Sequence, residues 1–285
     1  MDEYKGELQH FLLTRFNILL WTKDKEGNPV RTIQWLEHRF SLFEKYCLPS
    51  VKNQTCQDFE WIILFDSKTP EKYKEKIESL RNDYPQIIPV YVKPEYGRFF
   101  ADIFRMEMEK RLKAKRVIST YLDNDDALNC RFVEDLHKRV PLVGDGTFFY
   151  YDEGCQYYTE GEYMMRIHYP RNHFVSVVES ADPASVKGIF GYGGHYYINT
   201  INGAKIERIK NLPMWCEVVH EKNMLNDANF LLGTNLIHDR DYLRKDFGVD
   251  APVNSGLGIY VFRFFPRYIK TFIKRARHRL FGRQW

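Results

Sequence analysis

Apolar strand-like runs alternate with helical segments along the first half of the chain, and this alternation constrains the fold more than any other feature. Residues 59–65 form a near-continuous apolar run that ends at Asp66, and a charged helical segment follows from about Glu71 to Asn82. The predicted strands are 10–13, 59–65, 86–92 and 117–122. The predicted helices are 35–46, 71–82, 98–114 and one beginning near residue 131. Pro49 should stop the first of these helices. This order predicts an α/β fold with a doubly wound, mainly parallel sheet and helices on both faces.

Polar side chains follow several of these predicted strands. Arg15 follows the first, Asp66 the second, and three carboxylates follow the strand that ends at Leu122. In a doubly wound sheet, ligands bind in the crevice beyond the carboxyl ends of the strands. These side chains therefore predict a crevice for a nucleotide and its phosphates.

The three carboxylates, Asp123, Asp125 and Asp126, lie within four positions. Like charges this close raise one another's pKa unless a cation compensates them, and oxygen ligands suit Mn²⁺ or Mg²⁺. Leu128 stands where a calcium-binding EF-hand loop requires glycine, and no phosphate loop accompanies the acids. Two interpretations stay open from the residues alone: a metal and phosphate site, or caps for the helix that begins near residue 131.

The second half of the chain has a different pattern of predicted strands and turns. Residues 148–152, 156–159 and 162–168 resemble short strands separated by Glu-Gly turns, which predicts a meander. A last strand is predicted to end at His220. A histidine in this position is either structural or a metal ligand, because a neutral imidazole binds divalent metals readily.

Charge is distributed unevenly along the 285 residues, which carry a formal net charge of +4. Residues 251–285 contain eight Lys or Arg and no acid, which leaves residues 1–250 with an excess of acids. This distribution argues against nucleic acid as the partner of the main body and predicts a separate basic tail. The apolar residues that share one face of an amphipathic tail helix beginning at Pro266 are Ile269, Phe272, Ile273, Ala276 and Leu280. Such a helix suits an anionic membrane surface.

The five cysteines contain no Cys-x-x-Cys pair, and the N-terminal residues do not resemble a secretory signal. We therefore expect a reducing, cytoplasmic location. Because the basic tail suits an anionic membrane surface, we expect the protein to bind peripherally to the inner face of the cell membrane.

With these residues in view, the chain resembles the bacterial putative rhamnosyltransferase family, a group of GT-A-type glycosyltransferases. The resemblance covers about residues 8–235. The motifs that carry it are His10-Phe-Leu-Leu-Thr-Arg-Phe-Asn17, Trp35-Leu-Glu-His-Arg-Phe40, Cys47-Leu-Pro-Ser-Val51, Phe59-Glu-Trp-Ile-Ile-Leu-Phe-Asp66, Leu122-Asp-Asn-Asp-Asp-Ala-Leu128 and Pro213-Met-Trp215 continuing to His220. It implies one GT-A-like catalytic domain over residues 1–250, with a donor half at about 8–140 and an acceptor half at about 141–250.

The resemblance also implies roles for individual residues. Those implied as ligands of Mn²⁺ or Mg²⁺ in a DxD-type element are Asp125, Asp126 and His220. Those implied as contacts to the nucleotide are Arg15, Asp66, Arg105 and Asp123. For the catalytic base the chain offers no clean copy of the usual acidic pair, and the nearest candidates are Glu179, then Asp152 and Glu153.

The implied activity is metal-dependent transfer of a sugar, with rhamnose as the family title suggests, from a nucleotide-sugar donor. The implied acceptor is a hydroxyl of a bacterial surface polysaccharide or glycolipid. Two other classes remain as alternatives: a non-catalytic module that binds a nucleotide or sugar, and a metal-dependent phosphotransferase or hydrolase.

Overall fold

The protein is described here by a computed structural model. The residues that the structure describes are 6–23, 27, 29–198, 200–210, 212–220, 235–259, 261–262, 265–266, 269–270, 272–273 and 276.

Twelve strands are present in the described part of the chain. They are β1 (Leu8–Arg15), β2 (Glu60–Asp66), β3 (Ile87–Val92), β4 (Arg116–Tyr121), β5 (Ala127–Leu128), β6 (Thr147–Tyr151), β7 (Glu153–Tyr158), β8 (Tyr163–His168), β9 (Val175–Ser180), β10 (Lys205–Ile209), β11 (Trp215–Val219) and β12 (Asn235–Leu236). Seven of them form the main sheet in the order β10-β6-β9-β4-β1-β2-β3. Strands β4, β1, β2 and β3 are mutually parallel, and β9 runs antiparallel to both of its neighbours. The predicted mainly parallel sheet is confirmed.

Helices cover both faces of this sheet. The α-helices of the described part of the chain are α1 (Ile33–Leu42), α2 (Leu48–Lys52), α3 (Glu71–Asp83), α4 (Phe100–Glu109), α5 (Phe132–Arg139), α6 (His195–Ile198), α7 (Tyr242–Phe247) and α8 (Leu257–Ile259). Helix α7 packs against the second sheet, which is described below. Alternate residues of β2 face opposite sides: Trp61 and Ile63 pack with α1, α3 and α5, whereas Ile62 and Leu64 pack with α4. A central parallel strand needs apolar residues on both faces for this reason.

A second sheet has the strand order β12-β8-β7-β11-β5. Strand β5 follows the acidic segment directly and pairs with β11, with Trp215 opposite Leu128 and Cys216 opposite Ala127. Residues 122–126, which we call the acidic loop, therefore connect the main sheet to the second sheet.

Three predictions about individual elements were wrong in detail. Pro49 does not stop the helix that begins at Ile33: a π-helical turn over Phe43–Cys47 leads into α2, where Pro49 occupies a first-turn position that needs no N–H donor. The helix predicted over 98–114 is shorter at both ends, because a 3₁₀ turn over Pro94–Phe99 precedes α4 and α4 ends at Glu109. The predicted meander is divided between two sheets, since β6 belongs to the main sheet and β7 to the second.

None of the helices in the described part of the chain combines the length and apolar character needed to cross a membrane. The described residues between 261 and 276 are helical, as predicted for the tail. Leu280 and the bases Lys274 and Arg277 of the predicted tail helix lie outside the described residues.

Candidate functional site

The acidic loop is fixed to the end of β1 by Asn124. Its side-chain amide donates to the carbonyl oxygens of Arg15 at 2.9 Å and Phe16 at 2.8 Å. Leu122 N–H continues the sheet by donating to Leu13 O at 3.1 Å. These bonds hold the loop at the carboxyl-end rim of the main sheet, where a ligand crevice was expected.

Asp125 and His220 are in contact although 95 positions separate them. His220 Nε2 lies 3.0 Å from Asp125 Oδ2, and Arg39 Nη1 donates to the same oxygen at 2.9 Å. Burial alone would raise the pKa of Asp125, but the Arg39 guanidinium and His220 outweigh it and hold that pKa well below its usual range. Asp125 is therefore an ionised carboxylate with two donors already on one oxygen.

Asp126 has a different set of partners. His173 Nε2 lies 2.8 Å from Asp126 Oδ2, and Val218 N–H donates to Asp126 Oδ1 at 2.9 Å. Burial lowers the pKa of His173, but its bond to Asp126 and the nearby charge of Asp123 overcome this effect and raise it. The bond to Asp126 thus favours the protonated His173, and a metal ion that binds its Nε2 must displace that proton.

Asp123, Asp126 and His173 form a group whose ligand atoms all lie within 4.8 Å of one another. Two carboxylates and one imidazole fit Mn²⁺ or Mg²⁺, which prefer oxygen ligands and accept water in the remaining positions. The chemistry of these donors therefore fits the metal that the family implies. His220, which the sequence analysis assigned to the metal, contacts Asp125 and is not part of this group.

Arg15 lies beside this group at the end of β1. It donates from Nη2 to the Tyr121 hydroxyl at 2.6 Å, and that hydroxyl donates to Asp123 Oδ2 at 2.7 Å. The Arg15 guanidinium also lies 4.9 Å from the ring centre of Phe100 and 5.2 Å from that of Phe190. Aromatic packing of this kind orients a cation without neutralising it.

Asp66 ends β2 as predicted, but it is almost completely buried, with 1% of its side chain exposed. Arg31 Nη2 forms an ion pair with Asp66 Oδ2, and Lys68 N–H donates to Asp66 Oδ1 at 2.7 Å. Both carboxylate oxygens are therefore engaged by the protein itself.

A pocket of about 200 Å³ opens on this rim. Its lining residues are Arg15, Phe16, Ile18, Leu20, Trp21, Val30, Arg31, Trp35, Arg39, Tyr121, Asp123, Asn124 and Asp125. The lining has an apolar part, formed by residues 16, 18, 20, 21, 30 and 35, and a charged part formed by the acidic loop and three arginines.

The three arginines of the pocket share an unusual property. The Nε atoms of Arg15, Arg31 and Arg39 are buried, and none has a hydrogen-bond partner among the described residues. A buried donor without a partner is costly, and most such groups in folded proteins are satisfied. All three arginines line the pocket, and their positive charge favours a negatively charged ligand there.

Two residues predicted for the site do not reach the acidic loop. Arg105 on α4 forms an ion pair with Glu109, one turn along the same helix. Glu179 on β9 pairs with Val117 at the start of β4, and six residues of strand, about 20 Å, separate Val117 from Asp123. The Glu179 carboxylate accepts hydrogen bonds from Gly188 N–H at 2.9 Å and the Tyr192 hydroxyl at 2.8 Å, so it orders the segment that follows β9.

The other candidates for a base are also ion-paired. Asp152 accepts from Arg208 Nη1 at 3.0 Å, and Glu153 is bonded to His168 at 2.8 Å and Arg166 at 3.2 Å. A buried carboxylate that the sequence analysis did not consider, Glu217 on β11, interacts electrostatically with His173, Asp125 and Asp123. Burial raises the pKa of Glu217, and Gln156 donates to its carboxylate.

Sequence reasoning also missed His173, Arg39 and Arg31. His173 precedes β9, and an antiparallel β9 places its start beside the end of β4, so only knowledge of that strand direction could have located it. Arg39 lies on α1 and points into the rim, with its guanidinium 5.7 Å from the ring centre of Trp35. The Trp35-Leu-Glu-His-Arg39 motif contained both residues of that pair.

Comparison with known proteins gives one family. A family model described as putative rhamnosyl transferase matches residues 9–229. No curated protein in the comparison matches the chain.

Several solved structures are similar at low identity. Residues 1–349 of TarS from S. aureus in complex with UDP are 11% identical, with a TM-score of 0.39, 75% of this chain covered and 60% of that one. The same TarS region without UDP is 11% identical, with a TM-score of 0.39 and coverage of 74% and 60%. A 4-diphosphocytidyl-2C-methyl-D-erythritol synthase is also 11% identical, with a TM-score of 0.34 and coverage of 79% and 97%. The chain thus spans 60% of the TarS structures it matches, and similarity at this level does not identify a function.

Proposed function

Because the chain belongs to the putative rhamnosyl transferase family, a family of glycosyltransferases, we propose that it transfers a sugar from a nucleotide-sugar donor to a hydroxyl group. The proposed sugar is rhamnose, and the proposed acceptor is a bacterial surface polysaccharide or glycolipid. Family membership favours this reaction over a non-catalytic binding module and over a phosphotransferase or hydrolase.

The rim pocket is the observation that carries the proposal. Two of its arginines, Arg15 and Arg39, flank the acidic loop in the charged part of the lining. A diphosphate offers the acceptor oxygens and the negative charge that these groups require. We therefore assign the charged part of the pocket to the diphosphate of the donor and the apolar part to its nucleoside.

The proposed metal ligands are Asp123, Asp126 and His173. Mn²⁺ or Mg²⁺ bound there would neutralise charge on the leaving diphosphate. The protein's own contribution is to hold Asp126 through the Val218 N–H and to orient Asp123 through the Tyr121 hydroxyl. Both contacts fix the positions of the metal-binding carboxylates before the donor binds. Such preorganisation lowers the entropy cost of binding.

For the proton acceptor we propose Glu217 in place of Glu179. Glu217 lies on β11, next to Val218, whose N–H contacts Asp126, whereas Glu179 lies at the far end of β9. A base must be within reach of the hydroxyl that it deprotonates, and a raised pKa favours proton transfer near neutral pH. The basic tail adds a further proposal, that the enzyme works at an anionic membrane surface.

The first experiment screens nucleotide-sugars with Mn²⁺ for thermal stabilisation and then for release of the free nucleotide diphosphate. A donor that binds only the folded state raises its apparent stability. We expect one donor to stabilise the wild-type protein and Asp126→Asn to lose both effects. Asp145→Asn is the matched control, because Asp145 is an exposed aspartate paired with Arg116 at 2.7 Å. Absence of any stabilising nucleotide-sugar would refute the proposal.

The two glutamates provide a matched test of the base. Glu217→Gln should lower the rate of transfer by about 10²- to 10⁴-fold while nucleotide binding persists. Glu179→Gln should keep the rate of the folded protein and lower only its stability, because its carboxylate bonds are structural. A normal rate in Glu217→Gln would eliminate this assignment.

A further inference from the structure

The segment that follows β9 returns to the site through one aromatic side chain. A 3₁₀ turn over Ile189–Tyr192 lies in this segment, and the Ile189 N–H donates to Ser119 Oγ at 2.7 Å. Ser119 is among the last three residues of β4, so this bond holds the turn beside the end of that strand. Phe190 is the next residue of the turn, and its ring packs beside Arg15.

Phe190 contacts Arg15 and Tyr121, the two side chains that link β1 to Asp123 by hydrogen bonds. The centre of its ring lies 5.2 Å from the Arg15 guanidinium carbon and 4.7 Å from the centre of the Tyr121 ring. The same guanidinium carbon lies 5.2 Å from the Tyr121 ring centre and 4.9 Å from that of Phe100. Because a ring attracts a cation within about 6 Å of its centre, three aromatic rings act on this one guanidinium.

The Phe190 ring is itself held in a defined orientation. It stacks on Phe104 with centres 5.0 Å apart and planes 11° apart, and it meets Phe100 edge to face at 5.3 Å and 89°. Aromatic pairs prefer these two arrangements. Phe190 therefore offers Arg15 a fixed surface that belongs to the second half of the chain.

The rings lie behind Arg15 when it is viewed from the pocket. Arg15 and Tyr121 line the pocket, whereas Phe100 and Phe190 do not. The Arg15 side chain is 25% exposed, so a ligand can reach it, and its Nη2 lies 3.7 Å from Asp123 Oδ1, longer than a hydrogen bond. Any influence of Phe190 on a ligand in the pocket therefore passes through Arg15 or Tyr121.

We propose that Phe190 is a positioning residue that holds the Arg15 guanidinium toward a diphosphate in the rim pocket. This inference rests on the proposed function, which assigns the charged part of the pocket to the diphosphate of the donor. Arginine loses much rotamer freedom when it binds a ligand, and a side chain that is already oriented loses less. Tyr121 needs no such support, because it lies on β4. A residue between β9 and β10 thus contributes to binding of the donor through Arg15.

The test measures the dissociation constant of inorganic diphosphate by calorimetry with Mn²⁺ present. Phe190→Leu keeps an apolar side chain but removes the ring, and we expect about 3- to 30-fold weaker binding, the range of a partly buried cation–π contact. Phe190→Tyr keeps the aromatic face and should stay within about twofold of the wild type. Binding of Mn²⁺ alone should be unchanged in both variants, since Asp126 and His173 are held by bonds that do not involve Phe190.

Phe148→Leu is the matched control. Phe148 is buried in β6, and its ring contacts Tyr192 of the same 3₁₀ turn with centres 4.9 Å apart, but it is not one of the three rings around Arg15. Its loss should lower stability and leave binding of diphosphate unchanged. A second arm repeats Phe190→Leu in an Arg15→Gln background. There the affinity should change by less than about twofold, because the contact through which Phe190 acts is already gone.

If Phe190→Leu does not fold, Phe190→Met, which is also apolar and lacks a ring, replaces it in both arms. The inference is overturned, while the proposed transferase function stands, if the variant keeps the wild-type affinity for diphosphate or loses affinity for Mn²⁺ by the same factor. An effect that persists in the Arg15→Gln background overturns it as well. If the wild-type protein does not bind diphosphate at all, the assignment of the pocket and this inference fail together.

Discussion

At the scale of single residues, two histidines stand beside different carboxylates of the acidic loop. His173 contacts Asp126 and belongs to the group that could hold a metal, whereas His220 contacts Asp125, which Arg39 already neutralises. We expect His173→Gln to weaken Mn²⁺ binding by about tenfold or more and His220→Gln to leave it near the wild-type value. Calorimetric titration with Mn²⁺ checks both. The reverse result would assign the metal to Asp125 and His220, as the sequence analysis did.

Arg39 connects α1 to the acidic loop through buried contacts. Its side chain is 14% exposed and that of its partner Asp125 is 10% exposed. Arg39→Ala leaves a buried carboxylate without its main counterion, and breaking such a pair costs about 3–5 kcal/mol of unfolding free energy. Denaturation by urea measures this loss. Arg81→Ala, which removes an arginine that is 57% exposed, should change the unfolding free energy by about 0.5 kcal/mol or less.

The sequence predicted part of the site because strand ends are visible in an apolar pattern. The position of Asp66 at the end of β2 follows from that pattern, whereas the link between Asp125 and His220 came from the family resemblance. Arg31 was not predictable, since it lies in a segment between elements and reaches Asp66 only through its backbone conformation. The periodicity of apolar residues contains no information about such a segment.

At the scale of elements, Gly154 on β7 leaves room for the indole ring of Trp215 on the neighbouring strand β11. A Cβ atom on Gly154 would lie 2.1 Å from Cε2 of Trp215, whose ring stacks on Phe174 with centres 4.9 Å apart. Gly154→Ala must therefore displace the indole, and we expect it to lower the unfolding free energy by about 1–3 kcal/mol. Gly256→Ala is the control, because open space surrounds that position. Equal stability of the two variants would show that Trp215 moves without cost.

Strand β1 and helix α5 are joined by two imidazoles. His10 Nδ1 lies 3.2 Å from His137 Nε2, and His10 Nε2 lies 2.8 Å from Thr120 Oγ1. Burial, and for His10 also the neighbouring His137, lowers the pKa of both side chains below the usual value of 6.5. The unfolded chain therefore binds more protons than the folded protein below about pH 6.5, so stability is lost as the pH falls through that range.

Urea denaturation between pH 7.5 and 5.5 tests this effect. Each imidazole contributes at most about 1.4 kcal/mol per pH unit to the slope. His137→Gln removes one of them, so its unfolding free energy should fall less steeply with acidification than that of the wild type. The exposed His238→Gln serves as the control. Identical slopes for all three proteins would contradict the assignment.

The parallel half of the sheet was predictable, whereas the second sheet was not. Strands β1 to β4 are separated by helices, and alternation of this kind permits few topologies. Strand β6 looked like part of a meander, but its five residues are all buried because it lies between β9 and β10. Tertiary packing decides which strands such short strands pair with, and the local pattern of apolar residues does not predict it.

At the scale of the whole molecule, the acidic loop joins two sheets, with β4 before it and β5 after it. His220 follows β11 of the second sheet, not a strand of the main one, so its contact with Asp125 depends on the pairing of β5 with β11. The convergence predicted from a single sheet is therefore produced by two. Because Val218 of β11 holds Asp126 while Asn124 is bonded to the end of β1, the site requires the relative position of both sheets, and destabilising either sheet should affect it.

The basic tail gives the last prediction, which concerns where the molecule works. The exposed apolar residues among those described from residue 261 onward are Val261, Phe262, Phe265, Ile269, Phe272 and Ile273. In helical geometry the residues at 262, 265, 269, 272 and 273 share one face, and the eight Lys or Arg of residues 251–285 stand without any acid. Such a face enters the boundary of a bilayer while the bases bind anionic headgroups.

Each base near an anionic surface contributes about 1 kcal/mol, so Lys270→Glu combined with Lys274→Glu should weaken binding to vesicles of anionic phospholipid by more than about 30-fold. Cosedimentation measures this, and a chain ending at Gly258 should lose binding altogether. Neutral phosphatidylcholine vesicles and 0.5 M salt should reduce binding of the full chain, since salt screens exposed charges. The truncated chain should still release nucleotide from a soluble donor, because the acidic loop and its pocket lie wholly within residues 15–220. Binding to anionic vesicles that survives removal of the tail would place the membrane contact elsewhere on the molecule.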